Sequence, residues 1–302
     1  MPPPVDVIIN ASSGASDKEA ARRLLAAVFA AVGVEARISL AKSGAEVVKL
    51  ARRAASGDAQ TVVAGGGDGT INAVASTLLG TTKTLGVLPL GTLNHFAKDL
   101  RIPLDLEAAA RTIIAGRTMK VDVGEVNDRI FLNNSSLGLY PSIVHQREMK
   151  QRLGHGKWPA FLWAALTVLR RNPFLAVRLI LDGKEFATRT PFVFIGNNIY
   201  EMESFNIGSR ARLDAGVLSL YVTNRTGRWG LVRLALRALF RRLRNPQDFV
   251  ALTTTEVRVE TRRRRVRVST DGEVAVMQMP LDYRVHPGAL CVLVPEETEG
   301  TK

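Results

Sequence analysis

Hydrophobic and polar positions follow two regimes along the chain. Up to about residue 120, short apolar runs alternate with longer segments whose apolar residues recur every three or four positions. The runs are Val5–Ile9, Thr61–Ala64 and Leu85–Leu90, with Val34–Leu40 a further strand that alternates apolar and polar residues; the periodic segments are Asp17–Val32, Ala45–Ala55, Ile71–Leu79 and Leu106–Ala115. Such alternation predicts βαβ units on a parallel sheet. Beyond Met119 the period drops to two. Val121–Val126, Arg129–Leu132, Ala176–Leu181, Pro191–Gly196, Val217–Val222, Glu256–Glu260 and Arg265–Ser269 read as strands, and Ala289–Val294 as a further one. Val257/Val259 and Val266/Val268, set against Arg and Glu, predict half-buried antiparallel pairing. The expectation is an α/β fold: a parallel-sheet α/β domain over residues 1–120 and a β-rich, sandwich-like domain over 121–302. Helical inserts are expected near Lys157–Arg171 and Arg228–Arg244, and a fraying polar tail from Pro295.

Composition narrows the class. With 302 residues and 46% hydrophobic content, the chain can fill two cores. A lone cysteine, Cys291, excludes an internal disulfide framework and fits a reducing compartment; with four histidines it offers no zinc-site spacing. The N-terminus lacks the basic flank of a signal peptide, and the apolar stretch Trp158–Leu169 is too short to span a bilayer. A soluble or peripheral protein is expected. The net charge of +13 attracts polyanions: nucleic acid, nucleotide phosphates or anionic headgroups. At 6% aromatic content, with no aromatic–basic RNA-binding signature, nucleic acid is disfavoured.

The densest chemical signal is Ala64-Gly65-Gly66-Gly67-Asp68-Gly69-Thr70-Ile71-Asn72, between a strand and a helix. Consecutive glycines let a ligand approach the backbone, and a helix N-terminus suits phosphate. A carboxylate in that cradle, Asp68, would repel phosphate unless a cation or an attacking hydroxyl lies between them, which points to phosphoryl transfer. A tight turn with Asp as a helix cap is the plainer alternative. Neither a Walker Gly-Lys-Ser/Thr nor a Rossmann Gly-x-Gly-x-x-Gly is present.

Gly65-Gly66-Gly67-Asp68-Gly69-Thr70 resembles the signature loop of the diacylglycerol kinase and sphingosine kinase superfamily, with NAD kinases as distant relatives. Further segments match in order over nearly the whole chain. Asn10-Ala11-Ser12-Ser13-Gly14 resembles the family's Asn-Pro-x-Ser-Gly loop, with Ala11 for proline. Pro89-Leu90-Gly91-Thr92-Leu93-Asn94-His95-Phe96-Ala97 resembles its Pro-x-Gly-Thr-x-Asn-Asp-Phe-Ala, with His95 for Asp; there Asn94 can hold the Asp68 loop. Asn133–Gly138 and Gly196-Asn197-Asn198 resemble strand-end landmarks. Leu213-Asp214-Ala215-Gly216 resembles Leu-Asp-Asp-Gly, with Ala215 where bacterial members help bind a structural magnesium. Asp271-Gly272-Glu273 resembles the family's Asp-Gly-Glu; a type I′ hairpin turn is the alternative for the same residues. Ala73 replaces a Glu that often reaches the nucleotide.

The resemblance implies an ATP-dependent lipid kinase that phosphorylates a hydroxyl of diacylglycerol or a related lipid. ATP would lie between the two domains, near Asn10, Ser13, Gly14, Gly66, Gly67, Asp68, Gly69, Thr70, Asn72 and Thr92. Asp68 would bind Mg²⁺, and Glu273 with Asp271 would draw the acceptor hydroxyl into line, Glu273 taking its proton. A soluble-substrate kinase of the NAD kinase type and a non-catalytic binding relative are the alternatives. Arg233, Arg237, Arg241 and Arg244 form one helical stripe beside Trp229 and Phe240, suited to an anionic membrane or to plain solvent. Arg262–Arg265 reads as a hairpin turn that could touch phosphates. A cytoplasmic protein, peripheral at the inner membrane surface, is expected; a homodimer stays open.

Overall fold

The computed structural model describes residues 3–12, 17–138, 174–203, 206–223 and 249–296. The inserts around 157–171 and 228–244, with the 233–244 arginine stripe, therefore lie outside the described residues, as do Ser13 and Gly14. The chain divides into two compact units, 1–123 with 287–302, and 124–286.

In the first unit, strands β1 (Val5–Asn10), β2 (Ala36–Ala41), β3 (Thr61–Gly66) and β4 (Thr84–Pro89) alternate with helices α1 (Lys18–Ala30), α2 (Gly44–Ala55) and α3 (Asp68–Leu78). A short helix α4 (His95–Asp99) and α5 (Leu106–Ala115) follow β4. The strands pair in parallel in the order β2-β1-β3-β4. Val7, Ile9, Val62, Val63, Leu85 and Leu88 are buried, as central parallel strands covered on both faces require. Helix α1 packs with α5 and α2 with α3. Side chains start three helices: Asp17 accepts from Glu19 N and Ala20 N, Ser43 from Glu46 N, and Asp105 from Ala108 N.

The second unit is antiparallel. It contains the end of β5 (Thr118–Val126), then β6 (Arg129–Phe131), β7 (Asn134–Gly138), β8 (Leu175–Leu181), β9 (Lys184–Thr190), β10 (Phe192–Asn197), β11 (Tyr200–Glu203) and β12 (Asn206–Arg210). After these come β13 (Leu218–Thr223), β14 (Phe249–Thr254), β15 (Glu256–Thr261), β16 (Arg265–Thr270), β17 (Glu273–Gln278) and the first half of β18 (Leu281–Leu293). One sheet runs β14-β13-β10-β7-β16-β17; in the other, β15 pairs with β18 and β8, and β9 lies outside β8. Leu137, Val193, Ile195, Leu218, Leu220 and Val268 from the first sheet share a core with Val177, Leu179, Val257, Val259, Leu281 and Tyr283 from the second. This is the expected sandwich.

Two features differ from the sequence reading. The second half of β18 belongs to the first unit, where Cys291 and Val292 pair in parallel with Thr84 and Leu85 of β4. The Arg262–Arg264 link is not a hairpin turn, because β15 and β16 pair in different sheets and the link crosses from one to the other. The hairpin is β16–β17, closed by Asp271 and Gly272 at φ 48° and 86°, the two positive angles that a type I′ turn needs.

Candidate functional site

The signature loops of the first unit all leave the carboxyl ends of parallel strands, β1 into Asn10, β3 into Gly67-Asp68 and β4 into Gly91–Asn94. The chain turns one way from β1 to β2 and the other way to β3, so β1 and β3 flank a topological switch point, where open α/β sheets bind ligands. Asn10 spans it: its Nδ2 donates to Thr70 Oγ1 at 2.9 Å, and its Oδ1 accepts from Ser12 N at 3.0 Å.

The glycines serve close packing. None of Gly65, Gly66, Gly67 or Gly91 has a positive φ. A Cβ on Gly66 would meet Thr70 Oγ1 at 2.5 Å, and one on Gly91 would collide with Gly67 Cα. The β3–α3 and β4–α4 loops are thus pressed backbone to backbone. Helix α3 starts at Asp68, three residues earlier than the apolar period suggested; its N-cap is Gly67, which brings no side chain to the helix's first N–H groups.

Asp68 joins the two loops. Its carboxylate accepts from His95 N at 3.1 Å and from Phe96 N at 3.0 Å, and so caps α4. Asn94 was expected to hold the Asp68 loop but holds its own: in the left-handed region (φ 51°, ψ 46°), its Oδ1 accepts from Gly91 N and its Nδ2 donates to Pro89 O and Gly91 O. Thr92 and the His95 side chain are exposed; Gly67, Asp68, Gly69 and Asn72 are half-buried; Gly66 and Thr70 are buried. Both Asp68 oxygens already accept backbone N–H groups, and the described residues hold no cluster of three or more metal-ligating side chains. That donor set suits Mg²⁺ arriving on nucleotide phosphates with its own waters, because Mg²⁺ keeps several waters and takes few protein carboxylates.

In the second unit the Asp-Gly-Glu carboxylates take different partners. Asp271 Oδ2 accepts from Leu132 N at 2.7 Å, and its Oδ1 from Asn133 N at 2.8 Å and Asn134 N at 3.0 Å. Asp271 N donates to Asn134 O, so the turn and the start of β7 are locked together. Glu273 heads β17 with its side chain 62% exposed, 3.6 Å from Arg129 Nη2. The two carboxylates thus differ in setting: Asp271 holds backbone, and Glu273 is exposed beside Arg129.

Sequence reasoning missed Arg210. It is 4% exposed and donates to Leu132 O at 2.6 Å, Asn197 O at 2.9 Å and Asn133 Oδ1 at 2.9 Å, with its guanidinium 5.4 Å from the Tyr200 ring centroid. It fixes from the carbonyl side the same 132–133 segment that Asp271 fixes from the N–H side. A buried arginine that donates to backbone carbonyls has no pattern in sequence; its proximity to Leu213-Asp214 was the available hint. At that landmark, Asp214 lies 3.0 Å from Arg212, which holds its carboxyl below the usual range, while Ala215 N donates to Asn198 Oδ1.

A doubly wound sheet with paired glycine loops at its switch point, joined to an antiparallel sandwich, defines a class of two-part kinases. Residues 4–126 match the diacylglycerol kinase catalytic domain, and residues 140–294 match the YegS C-terminal NAD kinase beta sandwich-like domain. The chain belongs to the bacterial diacylglycerol kinase/YegS-like lipid kinase family. It is 28% identical to the diacylglycerol kinase of Bacillus subtilis over 299 residues, 96% of each chain. To that of Staphylococcus carnosus it is 28% identical over 226 residues, 72% of each. A crystal structure of a diacylglycerol kinase from Bacillus anthracis shares the fold, with a TM-score of 0.72, 20% identity and 96% of each chain covered. A diacylglycerol kinase catalytic domain implies the use of ATP. No helix among the described residues is long and apolar enough to cross a membrane.

Proposed function

We propose that this chain transfers the γ-phosphoryl group of ATP to a free hydroxyl of diacylglycerol or a closely related lipid, working at the inner membrane surface. The observation that carries this reading is the pair of interlocked glycine loops at the switch point, joined by a carboxylate at a helix N-terminus. ATP phosphates fit against the α3 N-terminus, beside Gly66–Gly69 and the exposed Thr92 hydroxyl. Asp68 would hold Mg²⁺ through its water shell, and Mg²⁺ when bound neutralises phosphate charge. The acceptor oxygen forms a bond to the γ-phosphorus, the bond to the β–γ bridging oxygen breaks, and ADP leaves. The acceptor's proton passes to Glu273, whose exposed carboxylate a substrate hydroxyl can reach. Asp271 and Arg210 hold the 132–134 backbone, and so fix the hairpin that carries Glu273.

Glu273→Gln should lower turnover on diacylglycerol by about a hundredfold or more, the usual worth of a positioned general base, while leaving ATP affinity and stability near wild type. A collapse of ATP affinity with normal turnover at saturating ATP would move Glu273 to the nucleotide site. The reading as a whole is tested by offering labelled ATP and Mg²⁺ with diacylglycerol, sphingosine and NAD in parallel. Label in diacylglycerol supports it; label in NAD alone replaces it with the soluble-substrate reading.

A further inference from the structure

The outer face of the six-stranded sheet is open at one edge. On β16, Arg265, Arg267 and Ser269 share that face; on β17, their cross-strand partners Gln278, Val276 and Val274 do. Val276 is 64% and Val274 44% exposed, whereas Phe194 and Tyr221, farther along the same face, are buried. The alternate positions Ala275 and Met277 pack with the sandwich core, so the valines are not inward residues that slipped out of register. Immediately before β16, Arg262, Arg263 and Arg264 are also exposed. None of the five arginines forms an ion pair with another described residue. Unpaired cations beside bare aliphatic side chains, on a strand leading away from Glu273, are an unusual use of a water-facing edge.

From this we infer that the β16–β17 face, with the Arg262–Arg265 arch, docks on the anionic surface of a lipid bilayer. The inference rests on the lipid kinase reading and specifies where that kinase meets its membrane. The arginines match headgroup phosphates, and the valines match the boundary between headgroups and acyl chains. The six residues of β17 then run from Glu273 along the lipid surface for about 20 Å. Two other occupants fit less well. A second copy pairing edge to edge through β17 would leave the arginines, one strand back on β16 and in the arch before it, without an anionic partner. Single-stranded nucleic acid would find no aromatic ring here on which to stack its bases, and the valines would meet phosphate.

The test is co-sedimentation with phosphatidylcholine vesicles and with vesicles mixed equally with phosphatidylglycerol, at low and high salt. The variants are R263E/R264E/R265E, V274S/V276S and, as a rival surface, R233E/R237E/R241E/R244E. Each is checked by thermal melting and by turnover on a water-soluble short-chain diacylglycerol, which needs no bilayer. The triple variant should bind mixed vesicles about a hundredfold more weakly at low salt, from the usual worth of each basic residue near an anionic surface. V274S/V276S should chiefly lose the binding that survives high salt. Both should match wild type on the short-chain substrate. Mixed-vesicle binding unchanged in both variants, or abolished only by the rival variant, would overturn the assignment. So would failure of wild type to bind mixed vesicles, or loss by the triple variant of RNA binding rather than vesicle binding. Absence of activity on the short-chain substrate in wild type would instead count against the kinase reading, and the vesicle data would still judge the surface.

Discussion

Asp68→Ala is expected to reduce phosphoryl transfer by about a thousandfold or more, the scale of losing a principal electrostatic contact to a reacting group. The variant should nonetheless stay folded. Its carboxylate accepts from the backbone N–H groups of His95 and Phe96 in the β4–α4 loop, while Asn94 holds the start of that loop independently. Losing that cap should lower stability by about 1 to 2 kcal/mol. A loosened loop and a lost Mg²⁺ contact can be separated without measuring turnover. ATP affinity is measured by thermal shift with and without Mg²⁺. Wild type should bind ATP more tightly with the ion, and Asp68→Ala should bind it equally under both conditions. A variant that keeps the full Mg²⁺ enhancement would leave Asp68 as a loop clasp alone.

Asp271→Asn is the second large effect, and it should appear first in stability. In the wild type, three N–H groups converge on two carboxylate oxygens. An asparagine can keep Oδ1 on Asn133 N and Asn134 N, but its Nδ2 then faces Leu132 N, donor against donor. Leu132 is 1% and Asn133 3% exposed, so water cannot replace the lost acceptor. Denaturant unfolding should show a loss of roughly 2 to 3 kcal/mol for Asp271→Asn and roughly 3 to 5 for Asp271→Ala, from the cost of unpaired buried donors. Turnover should fall in both, because Glu273 sits two residues along the same turn. A side chain with a purely chemical role would show the reverse: full stability with lost turnover.

The contrast between the two carboxylates shows what the sequence made legible. Strands β1, β3 and β4 stood out because buried parallel strands are largely apolar runs, whereas β2, half-buried at the sheet edge, alternates Arg37 and Ser39 with Ile38 and Leu40; Asp17, Ser43 and Asp105 cap three of the helices. The start of α3 was placed late because Gly69 and Asp68 are poor helix formers and tertiary packing of Thr70 against Gly66 decides the matter. The glycine loop stood out as a strand-to-helix turn, but the reason for its glycines did not. Freedom of approach for a ligand was the expectation, and contact between Gly67 and Gly91, distant in sequence, is the observed constraint.

Other features depend on partners that no local pattern names. The front of β18 was hidden by Pro287 and Gly288, and nothing near Cys291 says that it returns to Thr84. β9 and β17 are edge strands with exposed residues on both faces, so their alternation is faint. Arg210 reads as one of many surface arginines until the carbonyls of Leu132 and Asn197 are placed around it. The Asp-Gly pair was ambiguous between a motif and a type I′ turn; it is such a turn by geometry, and its aspartate holds the segment before β7.

The most direct test of the central claim follows the phosphorus atom. The protein is incubated with Mg²⁺, diacylglycerol in mixed micelles and ATP labelled at either the α or the γ position, and the lipid phase is extracted and counted. The γ label should enter phosphatidic acid in step with ADP release, the α label should stay in the aqueous phase, and Asp68→Ala should leave the lipid unlabelled. A lipid phase free of γ label with folded, ATP-binding wild-type protein would contradict transfer of the γ-phosphoryl group to a lipid hydroxyl.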